Sequence, residues 1–83
     1  MQFVLTKDLL FELRQWIADG NDTAIKDTLA EANEADLAEL LNKLRHEEAI
    51  YIYKLLDKKR AAEVMLELDE DVRKKIALRP YQP

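Results

Sequence analysis

The chain has neither cysteine nor serine in its 83 residues. Disulfides, thiolate metal sites and serine or cysteine nucleophiles are therefore excluded. There is one glycine, Gly20, and the two prolines, Pro80 and Pro83, both fall at the C-terminal end. That leaves little turn chemistry for a β protein and no glycine-rich loop to cradle a phosphate. A single histidine, His46, rules out a His-Glu-x-x-His zinc site. It is expected exposed, in a charged turn near a helix start, whereas a general base needs a positioned partner and usually a cleft. No segment approaches the roughly 18 consecutive apolar residues that span a membrane. The N-terminus reaches Lys7 and Asp8 too soon for a signal peptide. A net charge of −4 speaks against a nucleic-acid binder, which carries a basic patch or stripe. Nothing here builds an active site, so the chain is not expected to be an enzyme.

What is present is charge and regularly spaced apolar residues. The 48% apolar and 36% charged content suits a helical protein with strongly solvated faces. A chain of this length is one small domain or a piece of a larger one, with a limited core and a stability of a few kcal/mol.

Six short helices are predicted. Thr6 caps a first, whose stripe is Leu9, Leu10, Leu13, Trp16 and Ile17, and Gly20 ends it. Trp16 is expected in the core. Asn21 or Asp22 caps a second, with Ile25, Leu29 and Ala32 inward. Asn33 caps a third, with Glu34 and Asp36 in its first turn and Leu37, Leu40, Leu41 and Leu44 along its stripe. The fourth segment, Ala49 to Tyr53, is rich in β-formers, yet a lone strand has nothing to pair with. It is read as a helix, sandwiched because apolar residues lie on more than one side. Asp57 caps a fifth helix carrying Ala61, Val64, Met65 and Leu68. Asp69 caps a sixth with Val72 and Ile76 inward. Residues 80–83 read as an extended tail. Lys58-Lys59-Arg60 reads as a solvated helix entrance.

One pattern occurs twice. Leu37-Ala38-Glu39-Leu40-Leu41 leads to Leu44 and then to Arg45-His46-Glu47-Glu48. Twenty-four positions later, Ala61-Ala62-Glu63-Val64-Met65 leads to Leu68 and then to Asp69-Glu70-Asp71. That spacing falls in the range of stacked helical hairpins. The expected fold is all-α, a superhelical stack of armadillo- or HEAT-like helical repeats, with Leu40, Leu41, Leu44, Met65 and Leu68 in its core. Such an array builds a surface for another domain or chain. Its open end, near Ile76, Leu78 and Tyr81, is expected to be apolar and to self-associate.

Carboxylates are the one chemically suggestive group. Glu63 and Glu67 are spaced i,i+4 on the face expected roughly opposite Val64, Met65 and Leu68, and Glu39 holds the matching place in the first copy. Hard cations such as Mg²⁺ take oxygen ligands and keep several waters, so one or two carboxylates per surface suffice.

The run Asp36-Leu37-Ala38-Glu39-Leu40-Leu41, then Leu55-Leu56, then Arg60-Ala61-Ala62-Glu63-Val64-Met65-Leu66-Glu67-Leu68-Asp69, resembles the cytosolic N-terminal domain of MgtE magnesium transporters. The resemblance is best from Ala35 to Ile76. It implies that residues 1–79 are a regulatory N domain, cut before its later repeat. It implies a homodimeric, Mg²⁺-selective protein with CBS and membrane domains, lying on the cytoplasmic side of the cell membrane in this part. Regulatory Mg²⁺ bound between N and CBS domains would hold the cytosolic part compact and close the pore. Glu63 is the metal ligand that carries over. Helical repeats of this kind also resemble those of the flagellar motor switch protein FliG, which implies a scaffold instead.

Overall fold

A computed structural model describes residues 3–78. They form six α-helices: α1 Lys7–Asp19, α2 Asp22–Leu29, α3 Glu34–Lys43, α4 His46–Leu55, α5 Lys58–Glu67 and α6 Glu70–Leu78. No strand occurs among the described residues, and Ala49 to Tyr53 lie within α4. The all-helical expectation therefore holds. The tail at 80–83 lies outside the described residues.

The helix boundaries follow from local hydrogen bonding. The Leu9 N–H donates to Thr6 Oγ1 at 3.0 Å and opens α1. Gly20 ends it at φ 71°, a left-handed conformation. There the Gly20 N–H donates to the Ile17 carbonyl and the Asn21 N–H to the Trp16 carbonyl. A Cβ at Gly20 would meet nothing within 4 Å, so glycine is favoured there by φ alone. Asn21, rather than Asp22, caps α2, accepting from the Ala24 N–H at 3.3 Å. Asn33 and Asp36 form a reciprocal capping box at α3, with distances of 2.8 and 3.3 Å. At α4 only half of that box exists. Glu48 accepts from the Arg45 N–H at 3.0 Å, and the Arg45 side chain has nothing to accept with. Asp57 caps α5 through the Arg60 N–H at 2.8 Å. Asp69 precedes α6, and its carbonyl accepts from the Arg73 N–H.

The spacing is tighter than the 24-residue likeness suggests. Helices α2 to α6 begin at 22, 34, 46, 58 and 70, so the structural unit is one helix per 12 residues. Leu40, Ile52, Val64 and Ile76 hold one register position, and all four are buried. Leu44, Leu56 and Leu68 hold another, each the C-cap of its helix in extended conformation. Arg45 and Asp57, both extended, then start the next helix. Two extended residues reverse the chain at the α3–α4 and α4–α5 corners, so these corners need no glycine.

Stacking is in two layers. Helix α3 packs on α5 in one layer, and α4 packs on both α2 and α6 in the other. Helix α1 lies across α2 and α4. Thus α4 touches α1, α2, α3 and α6, which explains its unusual composition. Ala49, Ile50 and Ile52 are buried, and Tyr51 and Tyr53 pack against the core. The sequence repeats visibly at 24 because alternate helices share a layer and hence an environment. The radius of gyration, 12.0 Å, matches the roughly 12 Å of a compact chain of this length.

Several core expectations need correcting. Leu40, Leu41, Leu44 and Leu68 are buried, but Met65 is only partly so. Trp16 is likewise half-buried against the core edge, because α1 buries Leu13 alone. Ile76 is not an exposed end residue. It is 8% accessible and lines a small cleft with Leu41, Ala49 and Val72. The side chain of Leu78 and all of Tyr81 lie outside the described residues. The described large apolar side chains left exposed are Val4, Phe11 and Leu66.

Replacing Leu44 by Ala leaves a cavity at the α3–α4 corner. The expected loss is about 2–5 kcal/mol, read as a lower midpoint in urea unfolding. An unchanged midpoint would mean that this corner is not part of the core.

Candidate functional site

Glu63 lies in the middle of α5, immediately before Val64, which is fully buried. Its own side chain is exposed, as is that of Glu67 one turn on. Glu39 occupies the equivalent position on α3 and is also exposed. Because α3 and α5 share a layer, these glutamates belong to the solvent side of one layer. Asp69, Glu70 and Asp71, at the following corner, are exposed too. Among the described residues no three His, Cys, Asp or Glu side chains converge closely enough to hold a metal ion. The donor set is nonetheless all oxygen, as Mg²⁺ requires. Glu63 offers one or two oxygens from a helix whose opposite face is anchored in the core, so its position is set by packing. His46 is exposed at the first residue of α4.

Three arginines do structural work that composition conceals. Helix C-termini leave carbonyls without intrahelical donors. Arg60, on α5, donates through Nη1 to the Leu29 carbonyl at 3.1 Å and through Nη2 to the Ala32 carbonyl, at the end of α2. Its Nε lies 3.9 Å from a Glu34 carboxylate. Arg14, on α1, reaches the Lys43 carbonyl at the end of α3 and pairs with Glu48 at 3.2 Å. Arg73 reaches the Leu68 carbonyl at the end of α5. In each case a cation sits where the helix dipole is negative. Reading Lys58-Lys59-Arg60 as a solvated entrance is therefore wrong for Arg60. Its targets are backbone carbonyls remote in sequence, and no residue pattern announces them. Beside Arg60 lies an open cleft of about 420 Å³ with Leu29, Leu55 and Leu56 on its wall and Lys26 at its rim.

Two tyrosines tie α4 to its neighbours. The Tyr53 hydroxyl donates to the Ala61 carbonyl at 3.3 Å. The Tyr51 hydroxyl donates to the Asp22 carboxylate in the first turn of α2. That hydrogen bond, with smaller contributions from partial desolvation and the negative charge of Asp22, holds the Tyr51 phenol above its ordinary value of 10.0. The folded value is the higher one, so the bond contributes fully below about pH 10 and is lost as pH climbs through the raised value.

Two outcomes are expected. In an NMR titration Tyr51 ionises at lower pH in Asp22→Asn than in the parent chain; equal midpoints would remove Asp22 as the cause. Arg60→Ala loses roughly 1–2 kcal/mol in urea unfolding through orphaned α2 carbonyls, and Arg60→Lys recovers less than half because it lacks the fork.

One comparison identifies the family. The MgtE intracellular N domain matches residues 32–79, from the α2–α3 connection through α6. No curated protein and no solved structure gives a match. No helix among the described residues is long and apolar enough to cross a membrane. The matched stretch holds the 24-residue likeness, helices from both layers and Glu63, and covers more than half of the chain. The chain therefore belongs to the MgtE intracellular N-domain family and is a helical domain of a magnesium transporter.

Proposed function

We infer that this domain regulates its transporter by sensing Mg²⁺ through association with CBS domains of the same protein. The observation that carries this reading is the family match over residues 32–79, which contains Glu63 on the solvent face of α5. In this reading the module sits on the cytoplasmic side of the membrane, in a homodimeric protein. Its role is to bind and release, with no catalytic step.

The physical logic is one of charge. A surface bearing Glu63, Glu67 and the Asp69–Asp71 corner repels another acidic surface. A divalent cation between the two supplies oxygen-coordinated attraction and removes the repulsion. Mg²⁺ keeps several waters and needs one or two carboxylates from each side. Loss of the ion favours separation, and the differential affinity of Mg²⁺ for the closed arrangement is the free energy that biases the gate. With one surface missing, the isolated chain binds Mg²⁺ weakly.

The test is a Mg²⁺ titration of transport by the full-length protein. Glu63→Ala should shift closure to higher Mg²⁺ and leave ion selectivity unchanged, since the pore lies in another domain. A midpoint equal to the parent's, with shifts at neighbouring acidic positions, would make Glu63 an ordinary solvated residue. Calorimetry on the 83-residue chain should show little or no Mg²⁺ binding; tight binding would contradict a shared site.

A further inference from the structure

Helix α1 lies outside the matched stretch 32–79 and turns one face away from the stack. At about 100° per residue, Lys7, Arg14 and Ala18 fall between Leu10 and Phe11, in one sector without a carboxylate. Asp8, Glu12, Gln15 and Asp19 fall in the next sector, beyond Phe11. Phe11 stands at the crest, 64% accessible, and Lys7 and Ala18 are exposed. Beside Leu10 an open groove of about 320 Å³ is lined by Leu5, Thr6, Lys7, Leu10 and Lys43, with no carboxylate among the described residues. Lys43, at the end of α3, thus adds a second exposed cation to the same edge. Arg14 reaches the Lys43 carbonyl and is paired with Glu48. Val4, just before the groove, is 61% accessible.

Charge and topology decide what this edge can meet. A further helix of the stack would pack on α5, as α5 packs on α3, and would leave α1 as it is. A second copy laid face to face would set Lys7 and Lys43 against lysines, which like-charge repulsion opposes. An anionic bilayer complements the sector. Apolar side chains enter the headgroup boundary and lysines meet lipid phosphates, as in an interfacial amphipathic helix. A bilayer is also always near, because the domain belongs to a magnesium transporter.

We propose that this edge of α1 docks on an anionic lipid surface, with Leu10 and Phe11 at the headgroup boundary and Lys7 and Lys43 against the phosphates. The acidic stripe of Asp8, Glu12 and Asp19 is then turned away from the bilayer. The chain as a whole carries a charge of −4, so attraction depends on the face presented, and salt weakens it. Helix α1 packs on the layer of α2 and α4, whereas Glu63 belongs to that of α3 and α5. Lipid contact therefore leaves the acidic side of α5 uncovered. Docking of α1 needs neither Mg²⁺ nor Glu63.

Vesicle co-sedimentation with the 83-residue chain tests this, run with chelator so that divalent cations cannot bridge carboxylates to lipid phosphate. Vesicles of mixed phosphatidylcholine and phosphatidylglycerol should bind the chain, and added salt should release it. Pure phosphatidylcholine should bind it about tenfold less or weaker still. Lys7→Glu/Lys43→Glu should lose about tenfold or more on the mixed vesicles, and Phe11→Ala should lose several-fold. Lys58→Glu/Lys59→Glu makes an equal charge change on α5 and should retain most of the binding. All five positions are exposed, and circular dichroism verifies that each variant folds. In NMR spectra with spin-labelled lipid, line broadening should centre on Lys7, Phe11 and Lys43 and spare Glu63. A chain that does not bind the mixed vesicles would overturn the proposal and leave the sector to an acidic protein partner. Equal binding to both lipids, an equal loss in Lys58→Glu/Lys59→Glu, or broadening centred on another helix would overturn it too.

Discussion

Helices of eight to ten residues are too short to persist alone in water. That constraint governs the whole molecule. From α2 onward no helix exceeds ten residues. Each therefore owes its stability to the apolar stripe it buries against neighbours, and the stack folds as one unit. The fully buried residues Leu13, Ile25, Leu37, Leu40, Leu41, Ile52 and Val64 come from five of the helices and meet in one core. Helix α4 is central because it faces four others, and it has the broadest apolar surface.

Short helices also multiply ends, and every end leaves unsatisfied backbone groups. The chain meets this at both polarities. Side-chain acceptors on Thr6, Asn21, Asn33 and Asp57 satisfy N-terminal N–H groups. Arginines from other parts of the chain satisfy C-terminal carbonyls. Arg60 joins α5 to the end of α2, and Arg14 joins α1 to the α3–α4 corner. These bonds do more than cap, since each connects elements about thirty residues apart. They fix how α1 and α2 sit on the repeating part.

A stack with its core between two layers gives its function to its faces. The acidic side of α5 is held by Val64 and Leu68, the buried neighbours of Glu63 and Glu67, about 100° round the helix. The backbone that carries Glu63 and Glu67 is thereby anchored in the core. In the proposed reading, charge carried on an anchored helix suits a module that meets and leaves a second surface, where a loop would lose ordering entropy at every encounter.

Much of this was legible in the residues. Caps, stripes and short corners give six helices, because capping and 3.6-residue periodicity are local properties. Asp36 to Asp69 carried the family resemblance, and the exposure of Glu63 followed from its place off the apolar stripe of Ala61, Val64 and Leu68. The 12-residue unit was hidden, since α4 is enclosed and α5 is not, and unlike surroundings select unlike side chains. Met65 and Trp16 looked like core because a stripe records which way a residue points, not how completely a neighbour covers it. Arg60 looked solvated because its partners are backbone carbonyls brought near only by packing. The sequence by itself determined where each helix begins, ends and turns its apolar face. The tertiary structure decided which faces are covered, which arginine meets which helix end and that Tyr51 meets Asp22. Local signals act within a few residues, and those contacts exist only after distant helices have been stacked.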